Sequence, residues 1–281
     1  MSNLQLTSGT IKKPFFDNPG ADGKQLPIAL AHRGFWNANE TGTHLENSAA
    51  AFAAAVDLGY RYLETDVHGT SDGVCIALHD ETLDRTTDGK GTVSELPWSK
   101  VKQAYIGGIE PIPTLEELLV TWPEVKWNID IKSDSAIKPA AEVIEKLRAH
   151  DRVCITSFSP ARRKATVKLL SKPVAAGASS PEIAAFLAAA RVGSKRLAAM
   201  ALKDVDALQV PVGQAVPGIG GIVVTDAKTV EMAHAIDKYV QVWTVNTKAQ
   251  MNQLLDIGVD GIFTDRADTL RAVLESRRLW Y

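Results

Sequence analysis

The sequence predicts an α/β fold in which eight parallel strands close into a barrel surrounded by helices. Three observations carry that reading. Short apolar runs alternate with helical patterns from residue 27 onward, the signature of parallel crossover units. The length, 281 residues, suits a single barrel. No Gly-x-Gly-x-x-Gly follows the first strand, which removes the dinucleotide-binding alternative.

The elements follow in order. Residues 1–26 are polar, with Gly and Pro, and are expected to form a loosely held N-terminal arm, leaving 27–281 as one barrel domain. Pro27–Ala31 is the first strand, and residues 35–45 form a loop rich in Asn, Thr and Gly. Residues 46–59 predict an Ala-favoured helix stopped by Gly59. The second strand starts at Tyr60, and Ser71-Asp72-Gly73 turns the chain into a strand at 74–80 that folds back on it. Residues 83–109 form a small insertion after the second barrel strand. Thr114 and Glu117 make a capping box for the next helix. Strands are then expected at 125–132, 152–157, 173–178, 206–211, 221–225, 239–245 and 260–264. Helices are expected at 137–149, 160–170, 181–190, 194–202, 227–237, 247–257 and 267–276. No strand separates the helices at 181–190 and 194–202. Taking 206–211 and 221–225 as one irregular unit, and 74–80 as an extra, gives eight barrel strands.

Composition narrows the function. The chain is 45% hydrophobic and 23% charged, and its formal net charge of -2 offers no basic face to nucleic acid. Cys75 and Cys154 lie in apolar strand-like runs and are expected as buried hydrophobes in a reducing compartment. Residues 1–24 hold no secretory apolar core, and no stretch is apolar enough to be transmembrane, so a cytoplasmic location is expected. Nothing in the sequence specifies an oligomeric state.

The chemistry gathers at three strand ends: His32-Arg33-Gly34, Glu64-Thr65-Asp66 and His79-Asp80. Carboxyl ends of strands are where barrels build their sites. Glu64 and Asp66 are two apart on a strand and so share a face; Asp130 and Lys132 repeat that spacing on the next barrel strand. Three converging carboxylates need a counter-charge. A hard, oxygen-preferring divalent cation, Mg²⁺ or Ca²⁺, would supply it, with Glu64, Asp66 and Asp130 as ligands. Arg33 and Lys132 beside the cation suit a phosphate. His32 and His79 titrate near neutrality, so one can accept a proton while the other donates, as phosphodiester cleavage requires. Each motif alone also reads as a structural histidine or a solvated charge pair; the joint pattern at successive strand ends does not. His44, His68, His150 and His234 are assigned to structural or surface positions, with His68 sharing the face of Glu64 and Asp66.

The ordered motifs His32-Arg33-Gly34, Glu46-Asn47-Ser48, Glu64-Thr65-Asp66-Val67, His79-Asp80, Leu83-Asp84-Arg85-Thr86-Thr87, Asn128-Ile129-Asp130-Ile131-Lys132 and Gly261-Ile262-Phe263-Thr264-Asp265 resemble the glycerophosphodiester phosphodiesterase family over about residues 27–270. The resemblance implies a TIM-like (β/α)8 barrel that hydrolyses small glycerophosphodiesters to an alcohol and sn-glycerol 3-phosphate. It matches His32 and His79 to the acid/base pair, Glu64 and Asp66 to metal ligands, and Arg33 and Lys132 to phosphate contacts. It also places Glu46 at an acidic site position and Trp243 in the pocket lining. The third metal ligand is usually Glu in bacterial members, where this chain has Asp130; Thr43-His44-Leu45 stands where the family commonly has Pro before the Glu. Two alternatives accompany this reading. A lysophospholipase D-like enzyme would need an apolar rim, for which Leu96, Trp98, Val101, Tyr105 and Ile106 are candidates. A catalytically silent phosphate-metabolite binding protein would not need both histidines.

Overall fold

The computed structural model describes residues 13–36, 45–216 and 220–281. His44 and the first half of the arm lie outside the described residues. Eight parallel strands form the barrel: β1 (Ile28–His32), β2 (Tyr62–Gly69), β3 (Lys126–Ile131), β4 (Val153–Thr156), β5 (Ala175–Ala176), β6 (Ala207–Pro211), β7 (Tyr239–Trp243) and β8 (Gly261–Thr264). Each pairs with its neighbour in sequence order, and β8 returns to β1. A bridge between Gly177 and Ala207 joins β5 to β6 and closes the ring. The strands read as near-continuous apolar runs because helices cover their outer faces and side chains fill the interior.

Most predicted elements stand where their local signals place them. Ser48 accepts a hydrogen bond from the Ala51 N–H and starts the helix Ala49–Asp57. The Thr114–Glu117 capping box opens Leu115–Thr121. Cys75–Ala77 folds back antiparallel on β2, outside the barrel order. Cys75 and Cys154 are free and buried. The second half of the irregular unit differs from a barrel strand: Gly213–Val216 and Gly220–Val223 pair antiparallel in a separate ribbon after β6.

The insertion after β2 packs inward. Val101 and Ile106 are buried with Ile76, Leu78, Leu83, Val93, Ala104 and Ile112, and Leu96 and Trp98 lean on that cluster. Of the five apolar residues considered for a lipid-binding rim, Tyr105 is exposed.

Residues 14–26 are not loosely held. Phe15 and Phe16 are buried against Ile28, Tyr62, Ala175, Ala207 and Tyr239, which lie at or near the starts of their strands, so they plug the barrel at its amino end. Phe16 stacks on Tyr239 with ring centroids 4.1 Å apart, and Phe15 meets Tyr62 edge-on at 5.4 Å. Lys126 Nζ donates to the carbonyls of Pro14 and Asp17. An open barrel end would leave apolar interior residues in water, and the two rings remove that surface. Phe16→Ala is expected to cost about 3–5 kcal/mol, the usual range for truncating a fully buried Phe. Urea denaturation monitored by circular dichroism measures it; a loss within experimental error would mean that Phe16 is dispensable to the plug.

Above the plug lies a polar layer. The Gln209 amide donates to Asn128 Oδ1 at 2.6 Å and to Gln241 Oε1 at 2.9 Å. Asn128 is two residues before Asp130, so the next interior layer toward the carboxyl end carries the carboxylates.

Candidate active site

Strand register assembles the site. His32 of β1 is level with Glu64 of β2, and Asp66 of β2 is level with Asp130 of β3. The period of two then turns Glu64, Asp66 and Asp130 toward the interior together, and all three are buried.

Directly after β1 the backbone turns sharply, with Arg33 at φ 58° and Gly34 at φ 86°. A Cβ at Gly34 would sit 2.6 Å from the Ala51 carbonyl carbon. Only glycine permits that approach, which brings the start of the following helix over the site. Arg33 becomes a hub there. Its main-chain N–H donates to Glu64 Oε2 at 3.0 Å, its Nη1 to Glu46 Oε1 at 3.0 Å, and its Nε lies 2.9 Å from Asp66 Oδ2. Asn47 donates to Asp66 Oδ2 at 3.1 Å and accepts from Thr65 Oγ1 at 2.8 Å.

Lys132 Nζ lies 2.9 Å from Asp66 Oδ1 and 2.8 Å from Asp130 Oδ2. The two histidines are held in parallel ways. His32 Nδ1 meets Asp265 Oδ1 at 2.7 Å, and Asn246 donates to the other Asp265 oxygen at 2.8 Å. His79 Nδ1 meets Asp80 Oδ1 at 2.6 Å, and Arg85 donates to both Asp80 oxygens. An Nδ1–H given to a carboxylate leaves Nε2 as the working nitrogen. His32 Nε2 lies 3.9 Å from Glu64 Oε2.

The electrostatics follow from burial among unlike charges. Burial would raise Asp66, but Lys132 and Arg33 beside it hold its carboxyl well below the usual carboxylate range. Burial and then the Asp66 charge push Glu64 up to about 7. Burial likewise raises Asp130, against the pull of Lys132. Burial disfavours the Lys132 ammonium, yet Asp66 and Asp130 more than offset this and raise its pKa. His32 is raised too, as Glu64 and Asp265 outweigh desolvation. Asp80 is held down at about 2, first by Arg85 and also by His79.

The expected carboxylate triad takes a different form in this arrangement. Among the described residues no three His, Cys, Asp or Glu side chains converge on one cation position. Asp66 and Asp130 close on the Lys132 ammonium instead, which supplies the counter-charge. The residues nevertheless fit a hard divalent cation. Their donors are all carboxylate oxygens, Asp130 Oδ1 is buried with no hydrogen-bond partner among the described residues, and burial together with the Asp66 charge pushes Glu64 toward its neutral form.

The remaining predicted residues fall as follows. Glu46 is buried between two arginines, accepting from Arg33 and, at 2.6 Å, from Arg85 Nη2. Trp243 stands at the end of β7 with its ring 5.9 Å from Phe158, and Lys132 Nζ lies 5.5 Å from the Phe158 ring centre. His150 pairs with Glu145 and His234 with Asp260, away from the site. His68 bonds Ser133 and the His79 carbonyl, so it supports the segment carrying His79.

Asp265, Asn246, Asp80, Arg85, Asn47 and Phe158 touch the candidate residues, and sequence reasoning did not assign them. Asp80 and Asp265 had a signal, since each sits at a strand end in a quoted motif; Phe158 had none. Asp265→Asn is expected to lower kcat by about 10–100-fold, the usual cost of losing a group that orients a site residue. Steady-state kinetics with a melting-temperature control tests it, and an unchanged kcat would remove Asp265 from the site.

Comparison with known proteins places these features in context. Residues 32–269 match the model of the glycerophosphoryl diester phosphodiesterase family. A Mycobacterium tuberculosis protein named "Probable glycerophosphodiester phosphodiesterase 2" is 44% identical over 254 residues, spanning 90% of this chain and 92% of that protein. A Bacillus altitudinis glycerophosphodiester phosphodiesterase is 31% identical, spanning 89% and 98%. Among solved structures, an Oleispira antarctica phosphodiesterase in complex with the product sn-glycerol-3-phosphate superimposes with a TM-score of 0.69 at 24% identity, covering 89% of this chain and 97% of that one.

Proposed function

The chain belongs to the glycerophosphoryl diester phosphodiesterase family, and from that premise we propose that it hydrolyses glycerophosphodiesters to an alcohol and sn-glycerol 3-phosphate, with His32 and His79 as its acid/base pair. The observation that carries the reading is the pair of carboxylate-held histidines, His32–Asp265 and His79–Asp80, flanking half-buried Arg33 and Lys132. Arg33 and Lys132 are positioned to take a phosphate anion, trading part of their pairing with Asp66 for its oxygens. One histidine accepts the proton of the attacking oxygen, and the other protonates the departing alkoxide. Glu64, Asp66 and Asp130 would hold a Mg²⁺ or Ca²⁺ ion. Such an ion supplies Lewis-acid polarisation of the phosphate and neutralises developing charge.

A glycerophosphodiester carries a hydroxyl beside its phosphate-bearing carbon. Being tethered, that hydroxyl attacks phosphorus with a proximity advantage over water. The first product is then a cyclic glycerol phosphate, opened by water with the histidines' roles reversed. Trp243, in ring contact with Phe158 beside Lys132, would line the pocket. The inward packing of Val101 and Ile106 favours water-soluble head groups, such as glycerophosphocholine or glycerophosphoethanolamine, over lipid substrates.

The test is an activity screen on glycerophosphodiesters and lysophospholipids, followed by phosphorus NMR. Release of sn-glycerol 3-phosphate through a transient cyclic species is the expected result. Hydrolysis of lysophospholipids alone would overturn the substrate class. Normal turnover of a substrate whose neighbouring hydroxyl is methylated would overturn the tethered nucleophile.

A further inference from the structure

A carboxylate at Glu46 would repel a phosphate rather than contact it. It is an anion, it is buried, and its Oε1 is shared by two guanidinium groups: Arg33 Nη1 at 3.0 Å and Arg85 Nη2 at 2.6 Å. Arg85 comes from the loop after the folded-back strand. It also grips Asp80, with Nε on Oδ2 at 2.6 Å and Nη2 on Oδ1 at 2.9 Å. That same Oδ1 faces His79 Nδ1 at 2.6 Å.

We infer that Arg85, anchored by Glu46, is a positioning residue that fixes the orientation and tautomer of His79 through Asp80. The reason is geometric. His79 and Asp80 lie in a bend just past the folded-back strand, so no strand pairing fixes the plane of the Asp80 carboxylate. A planar guanidinium gripping both carboxylate oxygens sets the plane of that carboxylate, and an ammonium does not. Glu46 prevents the brace from swinging into solvent, since Arg85 is otherwise half exposed. Through Arg33 the line continues to Asp66, so residues 79–85 are tied to the strands that carry His32 and Glu64. Two histidines with complementary proton duties need a fixed separation, and this line of charges supplies it.

The inference rests on the phosphodiesterase reading for its kinetic arm and is independent of it for its spectroscopic arm. In protein labelled with ¹⁵N-histidine, the His79 ring is assigned by its loss in His79→Gln. The parent is expected to show one fixed tautomer, with Nδ1 protonated; Arg85→Gln is expected to show an averaged tautomer. Arg85→Gln is also expected to lower kcat about 100-fold, the scale of a 1 Å misplacement of a reacting group. The calorimetric affinity for sn-glycerol 3-phosphate is expected to stay within about threefold of the parent, since the proposed phosphate contacts remain. Arg85→Lys, which keeps charge and loses the fork, is expected to behave like Arg85→Gln. Unchanged His79 resonances in both variants would overturn the inference. So would a raised KM at unchanged kcat, which would make Arg85 a substrate contact. If the parent hydrolyses no glycerophosphodiester, the functional reading fails and the His79 spectra still decide the brace.

Discussion

His32→Ala and His79→Ala are each expected to lower kcat/KM by about 10²–10⁴-fold, the range that general acid–base catalysis usually contributes. Both imidazoles present the same arrangement: Nδ1 on a carboxylate at 2.6–2.7 Å, with Nε2 left for chemistry. The carboxylates stabilise an imidazolium after proton uptake and fix which nitrogen is free, so alanine at either position removes the proton carrier and its orientation together. The proposed phosphate contacts Arg33 and Lys132 stay in place, so the loss is expected in kcat more than in KM. His234→Gln is the control. Its ring pairs with Asp260, remote from the site, and its kinetics are expected to match the parent. Steady-state assays of the three variants, each checked for its melting temperature, decide the matter. Equally small effects at all three positions would favour a phosphate-binding module over an enzyme.

Chelation is expected to abolish activity, and Mg²⁺ or Ca²⁺ to restore it. Asp66 and Asp130 are level on adjacent strands, and strands stand about 4.8 Å apart. The two carboxylates share the single Lys132 ammonium. Glu64 adds a third buried carboxyl group, and Asp130 Oδ1 has no hydrogen-bond partner among the described residues. A divalent cation would satisfy all three. A second readout separates binding from catalysis: the ion is expected to raise the parent's melting temperature by mass action, and Asp130→Asn is expected to blunt that rise. Full activity after exhaustive chelation, with no thermal shift on adding either ion, would end the metal assignment.

Much of the site was legible because its rule is local. His32, Asp130 and Lys132 sit at or beside strand ends, Glu64 and Asp66 lie within β2, and strand periodicity alone says which share a face. The capping box at Thr114 is equally local and formed as expected, while the helix expected from residue 46 starts at Ala49 behind the Ser48 cap. The family motifs added Glu46 and Trp243 as positions, without revealing what Glu46 touches.

Partners distant in sequence were not legible. Asp265 reaches His32 across 233 residues, and Glu46 reaches Arg85 across 39. Phe15 and Phe16 looked like part of a polar arm because their partners, Tyr62 and Tyr239, belong to strands elsewhere in the chain. Lys132 was foreseen beside the carboxylates, but its place between Asp66 and Asp130 depends on the register of β2 against β3.

The sequence by itself determined the alternation of strands and helices, the helix starts, and the side chains offered at the barrel mouth, because these follow from periodicity and capping within a few residues. The tertiary structure alone decided which charges meet, which oxygens each histidine is tied to, and what closes the barrel floor. Those outcomes depend on register and ring closure, which bring together groups that no short-range pattern relates.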